Sequence, residues 1–281
     1  MDYRTISTVI TDFPADKMTL NDAIALARQN DAHLEIFCLG IDRLQPGFFY
    51  AGAGVQAMAT QSGMVEAEKN ALELRDQVTA HMSGQGIQWT ERAIAAQSTG
   101  LPQFLAHRIR FCDIAVLPQP YEKTRASESE AIVESALFDA QVPVWITPPA
   151  AKPFKSIKSV VVAWNESRES LVAIRAALPF LIAAEQVDIA IIDPPQHGVD
   201  RSDPGGALSQ MLARHGVRPQ VSVLAKTLPR VSDVLGRHLL DQNADLLVMG
   251  AYGHSRLRES IVGGTTRHIL ETADFPVLMA H

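Results

Sequence analysis

The chain has only two cysteines in 281 residues, Cys38 and Cys112. Both sit in apolar stretches far apart, which excludes a cysteine-based metal motif; buried structural thiols are expected, with a disulfide or redox pair as the alternative. No run approaches ~18 consecutive apolar residues, which leaves no candidate membrane helix. Residues 1–7 carry an acid and no long apolar stretch, unlike a secretory leader, so the cytoplasm is the expected compartment. Aromatic residues make up 6% and charged residues 20%, with a net charge of −6, which is not the footprint of a nucleic-acid-binding protein. Also missing are G-x-x-x-x-G-K-[ST], H-x-G-H and S-G-G-x-D-S, so the common nucleotide-enzyme motifs give no handle. The histidines, among them His33, His81, His107, His197, His215, His238, His268 and His281, form no short-range ligand spacing, and surface or helix-cap roles are expected for them.

What is present is hydrophobic content, 47%, enough for a substantial core. Charge is uneven: residues 1–150 hold 11 Lys and Arg against 18 Asp and Glu, whereas residues 151–281 hold 14 against 13. The second half is the better host for an anion.

The sequence also repeats itself. Asp113-Ile-Ala-Val-Leu-Pro118 matches Asp245-Leu-Leu-Val-Met-Gly250 at an offset of 132, and Val142-Pro-Val-Trp-Ile146 matches Phe275-Pro-Val-Leu-Met279 at 133. The starts, Ile6 to Asp12 and Ile157 to Asn165, correspond as well. Thr147-Pro-Pro-Ala-Ala-Lys-Pro153 between the repeats continues neither strand nor helix. Two domains are expected, residues 1–148 and 156–281. In the second, strands are expected at 157–164, 187–193, 220–226, 245–250 and 276–280, with helices at 167–183, 203–215, 230–242 and 264–273. The first repeats the order, with strands near 5–11, 33–39, 87–95, 114–118 and 143–147 and a long helix over 55–82. Near-continuous apolar strands indicate parallel sheets buried on both faces, and the βα alternation implies two tandem doubly wound α/β sheets of five strands, with ligands beyond the carboxyl ends. Residues 46–63 read as a loop entering a helix and packing on its own domain, with a lid or an interface as the alternative.

One segment carries chemistry. Gly250-Ala-Tyr-Gly253 follows an apolar strand, and nine residues lead on to Gly263-Gly264-Thr265-Thr266 at a helix start. Glycines admit close backbone approach, threonines donate hydroxyls, and the helix start offers unsatisfied N–H groups with its dipole, which together suit a phosphate. His254, Arg256 and Arg258 on the loop between add positive charge. In the first half the matching place holds Pro118-Gln-Pro-Tyr121 followed by Glu122, Glu128, Glu130 and Glu134, which removes donors and adds repulsion.

The G-x2-G-x9-G spacing followed by hydroxyl residues, the run Val248 to Glu259 and the terminal Phe275-Pro-Val-Leu-Met279 resemble the universal stress protein family, specifically its tandem two-domain bacterial members. The resemblance covers residues 156–281 closely and residues 1–150 in topology. It implies the universal stress protein fold, shared with adenine nucleotide alpha-hydrolases. It also implies a bound adenine nucleotide, ATP or its ADP and AMP forms, with Mg²⁺ as a companion of the phosphates. Gly250, Gly253, Gly263, Gly264, Thr265 and Thr266 then become phosphate and ribose residues. Asn165 stands where the family usually has Asp, and Gly264 where Ser or Thr is commoner. Ala163 and Ile192 are candidates for lining the base. The expected role is a regulatory stress-response module, with a slow ATP hydrolase or phosphotransferase and a nucleotide-free scaffold as alternatives; Glu259 and His254 are the nearest groups for base chemistry. The resemblance further implies an intramolecular pseudo-dimer, with homodimers as an option, and neither nucleic acid nor membrane as partner.

Overall fold

The computed structural model describes residues 2–43, 53–121, 128–149, 154, 156–194, 203–251 and 264–281, with backbone alone over 53–60. Two compact units account for them: residues 3–118 with 124–142, and residues 1–2, 119–123 and 143–281.

In the first unit the strands are β1 (Thr5–Ile10), β2 (His33–Asp42), β3 (Trp89–Gln97) and β4 (Ile114–Pro118), parallel and ordered β3-β2-β1-β4. Every residue of β4 is buried, as its unbroken apolar run requires. The helices are α1 (Phe13–Asn30), α2 (Ala53–Met82), α3 (Leu101–Ile109) and α4 (Glu128–Glu134), the last continuing into a π-helical turn, Ser135–Asp139. Asp12 caps α1 by accepting from the Ala15 N–H at 3.0 Å, and Asp31 ends it with φ 49°. Gly40 is required where α2 crosses β2, since a Cβ there would lie 1.8 Å from the Ala67 carbonyl oxygen.

In the second unit the order is β5-β10-β9-β6-β7-β8, with β5 (Val144–Thr147), β6 (Ser159–Ala163), β7 (Gln186–Ile192), β8 (Pro219–Leu224), β9 (Leu246–Gly250) and β10 (Val277–Ala280). All pairings are parallel except β5 on β10, where Trp145 faces Leu278. The fifth strand of the first repeat is thus counted with the second repeat's sheet. Trp145 is fully buried there, its ring 5.3 Å from Phe180 and 5.5 Å from Phe154. The helices are α5 (Arg168–Ala176), α6 (Leu178–Ala183), α7 (Gly206–Arg214), α8 (Val231–Asp241) and α9 (Gly264–Thr272).

The α/β class, the order of elements and the doubly wound topology are as the sequence predicts. One helix expected over 167–183 is two, because Pro179 has no N–H to continue the ladder and α6 restarts from Ala177.

A repeated device, not anticipated from the sequence, frames both sheets. The Asp113 carboxylate accepts from the Arg4 and Thr5 N–H groups at 2.7 and 2.9 Å. Asp245 does the same for Lys158 and Ser159 at 2.8 and 3.0 Å. Each aspartate opens the fourth strand of its repeat and clamps the start of the first.

Candidate functional site

In the order β8-β7-β6-β9-β10 the crossovers reverse between β6 and β9, and ligands of such sheets lie beyond the strand ends at that reversal. β6 and β9 pair directly, Val162 opposite Val248, so Ala163, Asn165 and Gly250 come together at this edge. Ile192 ends the next strand, β7, which pairs with β6 through Ala163 and Ala190. Ala163 and Ile192 are half-buried.

Asn165 is exposed, and its Oδ1 accepts from the Ser167 N–H at 3.2 Å. Glu166 between them takes φ 62°, a left-handed position. Ser167 then caps α5, accepting from the Ser170 N–H at 3.1 Å. The amide of Asn165 therefore also shapes the turn into α5.

Gly250 is needed for packing. A Cβ there would lie 2.5 Å from the Ser170 nitrogen and 2.8 Å from the Glu169 carbonyl carbon, so the bare Cα lets the first turn of α5 reach the strand. Ala251 follows, fully buried, with its N–H on the Ala280 oxygen at 2.9 Å. The Ala251 carbonyl meets His281 Nδ1 at 3.0 Å. His281 is thus a part-buried residue beside the motif rather than a surface histidine; no spacing in the sequence marks it.

Gly253, His254, Arg256, Arg258, Glu259 and Gly263 lie outside the described residues. The helix they lead to, α9, begins at Gly264, which is exposed with nothing within 4 Å of where a Cβ would sit. Thr265 is half-buried, whereas Thr266 is 6% exposed and belongs to the packed side of the helix. Further along, Arg267 pairs with Glu271 at 2.8 Å, and His268 lies 3.7 Å from Asp233.

A second polar cluster sits deeper in the same unit. Asp188 on β7 is 1% exposed; Ser222 on β8 donates to its Oδ1 at 2.7 Å, and His238 on α8 meets its Oδ2 at 2.5 Å. His238 is 8% exposed, which corrects the expected surface or cap role. A carboxylate inside the sheet needs such partners.

The first unit differs at the equivalent edge. Asp12 is a helix cap, Glu128 is paired with Arg43 at 2.8 Å, and a cavity of about 190 Å³ borders Thr11, Gly40, Arg43, Asn70 and Glu73. Glu122 lies outside the described residues. Cys38 and Cys112 are unbridged and buried, as expected, and burial pushes both thiols up to about 12. Among the described residues no three His, Cys, Asp or Glu side chains group as metal ligands, and no helix is long and apolar enough to cross a membrane.

Comparison with known proteins agrees with the fold. The model of the universal stress protein family matches residues 156–281. Universal stress protein Slr1230 of Synechocystis is 27% identical over 177 residues, a match covering 59% of this chain and 57% of that protein. A universal stress protein of Archaeoglobus fulgidus superposes with TM-score 0.67 at 12% identity, covering 98% of this chain and 95% of its own. A putative universal stress protein of Pseudomonas aeruginosa gives TM-score 0.58 at 16% identity, over 99% and 93%. At these identities the solved structures speak for the fold.

Proposed function

We propose that the chain is a universal stress protein, as the family model matching residues 156–281 supports, and that its second half binds an adenine nucleotide as a regulatory, stress-response module. The nucleoside meets the ends of β6 and β7 at Ala163, Asn165 and Ile192. The phosphates, with Mg²⁺ where present, meet the loop from Gly250 to Gly263, including Gly253, His254 and Arg256, and the start of α9 at Gly264 and Thr265. The observation that carries the reading is the open approach to Gly264 at the head of a nine-residue helix that follows the β6–β9 reversal. The near-neutral balance of the second half fits an anionic ligand, whereas the first half, with its excess of acids, keeps the fold without the glycine motif.

The test is the nucleotide content of gently purified protein, beside a Gly264→Asp variant. The new side chain enters open space, and an acid at a helix start favours the helix, so folding is expected to be unaffected. Its charge repels phosphate. Co-purified ATP, ADP or AMP in the wild type and none in the variant supports the reading. A wild type that is empty and also fails to take up ATP at millimolar concentration sinks it and leaves a scaffold. Accumulation of ADP with time moves the reading to a slow hydrolase.

A further inference from the structure

Gln119, Pro120 and Tyr121 follow β4 at the positions that Ala251, Tyr252 and Gly253 hold after β9, 132 residues later. Where the second repeat has a motif glycine, the first has a tyrosine. That segment is counted with the second unit, and it is engaged there. Gln119 is 5% exposed; its backbone N–H donates to the Thr147 oxygen at 3.1 Å. Its side-chain Nε2 donates to the Ala273 oxygen at 3.3 Å, the carbonyl just past the last residue of α9. Two residues on, the Arg267 guanidinium carbon lies 4.8 Å from the centroid of the Tyr121 ring, within cation–π range. Arg267 is three residues into α9 from Gly264 and is held along the helix by Glu271.

One short segment therefore grips α9 near its head and at its tail. The segment itself is stiff: Pro118 and Pro120 fix two backbone φ angles, and both are buried. A helix held at two points resists tilting and sliding about either. Direction matters at its head, because N–H groups hold an anion well only when aimed at it, and such bonds weaken steeply with misalignment.

We propose that residues 119–121 are a brace that sets the position of α9, and that Tyr121 is a positioning residue for phosphate binding at the start of that helix. The second clause rests on the nucleotide reading above; the first does not. In this account the first repeat has exchanged its own phosphate loop for a support of its sister's.

The experiment compares full-length wild type, Tyr121→Ala, Tyr121→Leu and Tyr121→Phe. The leucine variant fills space without a π face and stands in if the alanine variant fails to fold. Titration with ATP is expected to show affinity weakened about three- to tenfold in Tyr121→Ala and Tyr121→Leu, with Tyr121→Phe restored. Adenosine, which lacks phosphates, is expected to bind all four alike. In nucleotide-free protein, amide exchange within residues 264–272 is expected to rise in the alanine and leucine variants and stay at the wild-type level in the phenylalanine variant. Unchanged exchange overturns the brace. Equal weakening of ATP and adenosine overturns the phosphate-positioning role. A wild type that binds neither removes the proposed function and with it the second clause, while exchange still decides the first.

Discussion

The two repeats agree at one edge of their sheets and part company at the other. At the amino edge, Asp113 and Asp245 hold the same two backbone N–H groups of the first strand, with distances matching within 0.1 Å. At the carboxyl edge, the first repeat runs into prolines and a tyrosine, and the second into Gly250 and the head of α9. Strand interiors diverge too. Glu35 on β2 lies opposite Thr90, two residues before Arg92; Asp188 on β7 lies opposite Gln220, two residues before Ser222. The acids occupy matching places. Glu35 reaches Arg92 at 3.8 Å with a half-open side chain, whereas Asp188 is sealed between Ser222 and His238. A duplicated frame tolerates change wherever the frame itself is not carrying the sheet, and the same acid becomes a surface pair in one copy and a buried network in the other.

That contrast is open to measurement. His238→Ala leaves the Asp188 carboxylate buried with its imidazole gone, and a loss of about 3–5 kcal/mol is expected in denaturant unfolding. The matching change, Arg92→Ala opposite Glu35, is expected to cost under about 1 kcal/mol, because that pair is solvent-screened. Comparable losses at the two sites would erase the distinction. Removing the clamps sharpens the other side of the comparison. Asp113→Ala and Asp245→Ala each strip two charge-assisted bonds from backbone, and losses of about 2–3 kcal/mol, similar to one another, are expected. A large difference between them would mean that the frames are not equivalent.

Within the second repeat, Gly250→Ala drives a Cβ against the Ser170 nitrogen, and about 1–3 kcal/mol is expected to be lost. Gly264→Ala meets open space and is expected within about 0.5 kcal/mol of wild type or above it. Another effect separates the units by pH. Both thiols are in the first unit, and burial raises them from 9.0 to about 12. An unfolded chain ionises them first, so their contribution is intact below pH 9.0 and is lost as pH rises toward about 12. Thermal melts across that window are expected to fall less in a Cys38→Ala/Cys112→Ala variant than in the wild type.

Most of the fold was legible because its signals are local. Runs such as Ile114 to Leu117 and Leu246 to Met249 announce buried parallel strands, and glycine and proline mark their ends. What escaped depends on partners distant in sequence. Nothing near His238 foretells Asp188, fifty residues away, and nothing near Asp245 announces that it holds Lys158. Pro179 was visible but reads equally as a kink or a break. At the candidate site, Asn165 was named from the resemblance and Gly250 from the motif, yet their structural roles in the α5 turn and the β9–α5 contact come from register alone. Thr266 looked interchangeable with Thr265 until the helix placed it on its packed side.

The pairing of β5 with β10 sets a clock on synthesis. Thr147 ends the one strand and Val277 begins the other, 130 residues later. At about 5–20 residues per second, Val-Trp-Ile-Thr emerges roughly 6 to 26 seconds before its partner exists. Through that interval Trp145, which ends fully buried, has no β10 to cover it. Codon usage that slows translation across residues 156–276 is therefore expected to lengthen the time in which chaperones, or a neighbouring nascent chain, can capture this strand.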